Sequence, residues 1–152
     1  MDNLYLKIPP AIVFLLCLAL IYLMDQYSPG IIAIDFPRWI VIIPAAAGAA
    51  LGAAGVLQFV LRSTTVNPHK PANASTLITS GVYRFTRNPM YLGLLLLLIA
   101  GLFRFSPLPG LLAIPLFVIY MNRFQIIPEE TAMQKKFGDE FADYKERVRR
   151  WV

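Results

Sequence analysis

The sequence predicts an all-α integral membrane protein: four membrane-embedded helices, the last two a tight hairpin, followed by a C-terminal amphipathic helix at the cytoplasmic face. Three observations carry this expectation. Hydrophobic residues make up 57% of the 152-residue chain and charged residues only 15%, far more apolar than a soluble domain requires. Four blocks contain no Asp, Glu, Lys or Arg: Ile8 to Met24, Trp39 to Leu61, Tyr91 to Phe103 and Leu108 to Met121. Past the last block the chain turns polar, with apolar residues at helical spacing.

The chain reads as one domain, residues 1–152, with helices over about 8–24, 39–61, 89–105 and 108–124. A spanning helix needs about 20 apolar residues, and the first two blocks reach this with their flanks. The first is read as an uncleaved helix, because Asp2 offsets Lys7 before it and no small-residue cleavage site follows. Its Cys17 is the single cysteine, a packing residue by burial tendency. No disulfide is possible within the chain, and no metal site is expected. The second helix holds "PAAAGAALGAAG", in which Gly48 and Gly52 form a GxxxG pair beside Ala45, Ala49 and Ala53. Small residues so spaced let helices approach closely. The pair serves packing within the chain, a homodimer, or space for a lipid tail. The third and fourth blocks are shorter and are separated by "RFSPLPG", where prolines end one helix and Gly110 frees the backbone.

Charge sets the topology. The 25–38 connection has Arg38 against Asp25 and Asp35, whereas the 62–88 connection has Arg62, Lys70, Arg84 and Arg87 and no acid. The positive-inside rule places the second connection, both termini and the basic tail in the cytoplasm. Anionic lipid headgroups then account for the net charge of +5 without nucleic acid.

The 62–88 connection is long for a link between neighbouring helices, and loops of this length are usually functional or disordered. It holds the only histidine, His69, which reads first as a loop residue and second as a proton-transfer group. At its end Asn88-Pro89 marks a helix start: Asn caps free N–H groups and Pro suits the first helical position. The N–H groups of Met90 and Tyr91, beside Arg84 and Arg87, make this helix end a candidate anion site; Arg at a cytoplasmic helix end and Tyr in an interfacial belt equally read as ordinary topology. A second cluster, Glu129 and Glu130 after Pro128, opens the tail helix over 127–150. Acids there complement the helix dipole, and they also suit ribose hydroxyls or a sulfonium charge. In that tail Met133, Phe137, Phe141, Tyr144, Val148 and Trp151 form one face, interrupted by Gly138. Such a helix lies on the membrane surface or docks on the other helices.

Taken together, "LITSGVYRFTRNPMYLG", the "EE" pair and "FGDEFADYKERV" resemble the integral-membrane methyltransferases of the isoprenylcysteine carboxyl methyltransferase and phospholipid methyltransferase superfamily. The resemblance covers about residues 62–152. It implies S-adenosylmethionine as cofactor on the cytoplasmic side, and a lipophilic, amphipathic small-molecule acceptor (lipid, isoprenoid or prenylcysteine-like) entering from the bilayer. By matching position it implies cofactor contacts from Ser75, Thr76, Leu77, Ile78, Tyr83, Asn88, Pro89, Met90, Tyr91, Glu129 and Glu130. Arg123 and Gln125 occupy the substrate-binding region. Two departures stand out. Asn88 replaces the family's usual His, a change that preserves a helix cap. Gln125 stands where prenylcysteine enzymes carry Arg, which removes a bidentate carboxylate partner.

Methyl transfer from a sulfonium is an in-line displacement in which alignment supplies much of the effect. A carboxylate acceptor needs no base; an amine, thiol or phenol does, and His69 or Tyr83 are the candidates. The competing readings are a small four-helix transporter and a non-catalytic adaptor. Transport is disfavoured because the four blocks hold no ionisable residue of the kind that couples ions.

Overall fold

In the computed structural model, residues 5–27, 36–61, 76–105 and 108–152 are described. His69 and Ser75 lie outside them. Helices dominate and no strand occurs among the described residues. They are α1 (Pro10–Tyr27), α2 (Arg38–Leu61), α3 (Pro89–Phe105), α4 (Ala113–Tyr120), α5 (Ile127–Phe137) and α6 (Asp139–Arg147), with 3₁₀ turns at Gly81–Arg84 and Leu108–Leu112 and a π-helical segment at Met121–Ile126.

The helices α1 and α2 and the continuous run Leu108–Phe137 are each long and apolar enough to cross a membrane, and α3 is a shorter apolar helix. Its 17 residues extend about 26 Å at 1.5 Å per residue, slightly less than a hydrocarbon core of about 30 Å. Multi-pass insertion follows from these lengths and compositions. Large apolar side chains point outward along the first two helices, including Leu15, Leu16, Ile42, Ile43 and Val60, as a lipid-facing surface requires.

Of the four, α3 is the central helix, touching α2, α1 and α4. Its pairing with α2 rests on glycine: a Cβ on Gly48 would meet the Gly93 carbonyl at 2.7 Å, and one on Gly93 would meet the Gly48 carbonyl at 2.7 Å and the Gly52 nitrogen at 3.0 Å. The Gly48/Gly52 surface therefore receives α3 of the same chain. On the other side α3 packs on α1 and α4 around Ile21, Leu98, Leu102, Phe117 and Met121.

The expected break between a fourth helix ending at 124 and a tail helix starting at 127 is absent: the chain stays helical from Leu108 to Phe137. The adjustment is the π segment, where Ile127 N–H reaches back to the Asn122 carbonyl. Pro128 has no N–H to return to the Phe124 carbonyl and its ring crowds that group, a conflict that widened helical turns relieve. The freed Phe124 carbonyl accepts the Leu6 N–H at 3.0 Å, which fastens the segment preceding α1 to the π turn. The real break comes at Gly138, whose φ of 53° is easy only for glycine. The tail is thus two helices, α5 and α6, and Val148 beyond them is extended. Its apolar stripe survives the break and docks on the protein: Phe141, Tyr144 and Val148 are buried against Leu77, Met133 and Phe137.

Candidate functional site

The two motifs that are far apart in sequence meet where α3 begins. Asn88 and Pro89 start α3 as predicted, with Leu92 N–H donating to the Asn88 carbonyl at 2.9 Å. The Asn88 side chain, however, engages the C-terminus: its Nδ2 donates to the Arg150 carbonyl at 2.9 Å. Thr86, 2% exposed, donates its hydroxyl to the same carbonyl and accepts the Asn88 N–H. Arg87 N–H donates to the Arg149 carbonyl at 3.0 Å. The segment after α6 is thereby laced along Thr86–Asn88.

Glu129 and Glu130 are neighbours in the first turn of α5, yet they serve different partners. Glu130 is an ion-pair hub: Arg87 Nη2 donates to its Oε1 at 2.7 Å, Arg150 Nε to the same oxygen at 3.1 Å, and Arg150 Nη2 to Oε2 at 2.7 Å. Arg87 Nη1 also donates to the Lys145 and Val148 carbonyls at 3.0 and 2.7 Å. This changes the expected anion site at the α3 N-terminus, because one of its two arginines is committed to Glu130.

Glu129 instead accepts a close hydrogen bond from the Tyr91 hydroxyl, joining α5 to the first turn of the central helix. Beside it stands Tyr83, 5% exposed. The Tyr83 ring meets Phe59 edge-on at 5.8 Å, and its backbone carbonyl accepts the Tyr144 hydroxyl at 2.7 Å. The Tyr83 hydroxyl itself is buried with no hydrogen-bond partner among the described residues. Burial, then the nearby Tyr144 and Glu129, push its phenol well above the ordinary range, so it stays protonated at neutral pH. It can donate a hydrogen bond; as a general base it is poorly suited.

The other expected positions divide between this cluster and its supports. Thr76 is exposed, Leu77 half-buried in the tail cluster and Ile78 buried. Pro89 is buried, and Met90 packs toward Gly55 of α2. Arg123 is exposed on the π segment. Gln125 is fully buried, and its Nε2 donates to the Ile8 carbonyl at 2.8 Å, so the amide nitrogen holds the segment leading into α1. Sequence reasoning placed Tyr144 only on the apolar tail face and gave Thr86 and Arg150 no part in the site. Their roles depend on contacts between residues more than 60 apart in three of the bonds, and no local pattern encodes those.

Comparisons with known proteins agree with the paired motifs. The profile of the family described as phospholipid methyltransferase matches residues 46–140, from the glycine-bearing part of α2 to the start of α6. A relative from Haemophilus influenzae (strain ATCC 51907 / DSM 11121 / KW20 / Rd), described as an uncharacterized protein, is 44% identical over 63 residues, which is 41% of this chain and 100% of the relative. No solved structure matches the chain.

Proposed function

Because the chain belongs to the phospholipid methyltransferase family, we infer that it transfers a methyl group from S-adenosylmethionine to an amphipathic acceptor reaching the site from the bilayer. The observation that carries this reading is the convergence at the start of α3 of the Tyr91–Glu129 pair and, within electrostatic range of it, the buried Tyr83 hydroxyl, which has no hydrogen-bond partner among the described residues. A buried hydroxyl without a partner is costly; a polar ligand group placed there relieves that cost.

These residues fit the cofactor chemically. A bound sulfonium or ammonium cation favours the ionised form of Glu129 and pairs with it, and Tyr83 offers a hydrogen bond to a ligand oxygen or nitrogen. Ile78 and Met90 offer apolar surface nearby in sequence, consistent with contacts to the rest of the molecule. When bound, S-adenosylmethionine supplies an activated methyl group. The protein's part is to orient, to exclude water and to balance charge, and alignment of this kind is worth several orders of magnitude in rate. Glu130, by contrast, is assigned here as the support of the pocket, since both of its oxygens are taken by Arg87 and Arg150.

The acceptor is read as an amine-bearing lipid headgroup in preference to a prenylcysteine carboxylate; its ammonium gives up a proton to water, the freed nitrogen lone pair takes the methyl group, and the sulfonium departs as a neutral thioether. Gln125 stands where a carboxylate-binding Arg is expected, and its side chain is buried on the Ile8 carbonyl. The basic residues flanking the site argue for the cytoplasmic side. The test is to incubate the purified protein with methyl-labelled S-adenosylmethionine and a membrane lipid extract. Label in a phospholipid headgroup supports the reading; label in a base-labile ester refutes the amine assignment, and no transfer to any lipid refutes the activity.

A further inference from the structure

A second polar feature lies beside the candidate site and takes no part in it. A cleft of about 300 Å³ opens between the 3₁₀ turn and α6, lined by Thr79, Ser80, Arg84, Tyr144, Arg147 and Val148. It holds two guanidinium groups and no acidic side chain. Arg84 is exposed and belongs to neither of the ion pairs among the described residues. Arg147 donates its Nε to the Asp143 backbone carbonyl, and it too belongs to neither of the ion pairs among the described residues. Two such cations sharing one concave surface repel each other and attract an anion.

The place of the cleft beside the end of α2 points to the source of that anion. The 3₁₀ turn is seated on the last turns of α2: a Cβ on Gly81 would collide with the Gln58 side chain at 2.3 Å, and Tyr83 meets Phe59 edge-on. The 24 residues of α2 extend about 36 Å, longer than a hydrocarbon core of about 30 Å, so a centred α2 carries its last residues to headgroup level. Next to Arg84, the Phe85 side chain is 77% exposed, an aromatic ring placed where interfacial aromatics anchor in the headgroup region.

We propose that this cleft binds the phosphate of an anionic membrane lipid through Arg84 and Arg147, at a place separate from the Tyr91–Glu129 pocket. A guanidinium fork matches phosphate oxygens, and the Thr79 hydroxyl adds a donor at the rim. The bound lipid bridges the 3₁₀ turn and α6, two elements that flank the pocket from opposite parts of the sequence.

The test uses the full chain in nanodiscs of phosphatidylcholine with and without phosphatidylglycerol, scored by lipid retained after transfer to detergent. The Arg84→Gln/Arg147→Gln pair is compared with the charge-matched pair Lys135→Gln/Arg149→Gln, outside the cleft. Retained helicity establishes that each variant folds. Hydrogen-bonded guanidinium contacts exceed the general attraction of basic residues to an anionic surface, so the cleft pair should lose at least about tenfold more phosphatidylglycerol affinity than the control pair. Equal losses in the two pairs overturn the site. Full displacement of the lipid by millimolar inorganic phosphate overturns the lipid as source and leaves a site for a soluble anion. The readout is lipid binding, so it stands whether or not methyl transfer is found.

Discussion

Replacing Glu130 with Gln removes the charge at the centre of the Arg87–Glu130–Arg150 cluster while keeping its shape. The carboxylate accepts three charge-assisted hydrogen bonds, and the side chains of Glu130 and Arg87 are only 14% and 11% exposed, against 33% for Arg150. Breaking a fully buried ion pair costs about 3–5 kcal/mol because the remaining charge is left uncompensated, whereas an exposed pair is worth about 0–1 kcal/mol. This cluster sits between those limits. Arg87 keeps its bonds to the Lys145 and Val148 carbonyls, and Gln retains one acceptor, so we expect a loss of about 2 kcal/mol for Glu130→Gln. Denaturation in detergent, followed by circular dichroism, measures it. A double-mutant cycle with Arg87→Met should show a coupling of about 1–3 kcal/mol. The corresponding cycle with Arg150→Met should give a smaller value, because water screens that partner. A Glu130→Gln protein as stable as wild type, or a larger coupling to Arg150 than to Arg87, refutes the reasoning.

The α2–α3 contact predicts that Gly93→Ala destabilises by about 1–3 kcal/mol, since its new methyl meets backbone on the facing helix; Gly52→Ala, whose Cβ meets nothing within 4 Å, should be neutral or slightly stabilising, and thermal unfolding of both checks the contrast. Gln125→Arg restores the residue expected from the prenylcysteine enzymes but puts an unpaired guanidinium at a fully buried position, so it should cost about 3 kcal/mol or more; unchanged thermal stability contradicts the assigned placement. Burial raises the phenols of Tyr83 and Tyr144 above their ordinary value of 10.0. The folded state therefore favours their protonated forms: this contribution to stability is complete below pH 10 and is lost as pH rises above it. Tyr144→Phe should flatten that alkaline decline in a stability-versus-pH series, and an unaltered decline counts against it.

Local signals account for much of what was legible in advance. Charge-free blocks and the Asn-Pro pair located α2 and the start of α3 because a helix start is decided by a few adjacent residues. The tail stripe, read from helical spacing, is the one that docks through Phe141, Tyr144 and Val148. The break expected between 124 and 127 is absent for a physical reason. A proline usually ends a helix, but here the π segment and the Leu6 N–H on the Phe124 carbonyl absorb the conflict, and the sequence near residue 128 carries no trace of Leu6. The site divides in the same way. Tyr91 and Glu129 came from motif resemblance and stand together, whereas the separate duty of Glu130 depends on Arg87 and Arg150, 43 and 20 residues away.

The central claim is that the Tyr83–Tyr91–Glu129 cluster holds S-adenosylmethionine. Titration calorimetry with S-adenosylhomocysteine and S-adenosylmethionine on the detergent-purified protein, wild type against Glu129→Gln, tests it most directly. Loss of a charged partner in a buried site predicts binding by the wild type and an affinity at least about tenfold weaker for the variant, with a larger loss for the cationic ligand than for its uncharged-sulfur counterpart. Well-folded wild-type protein that binds neither ligand, or a variant that binds both as tightly as wild type, contradicts the account.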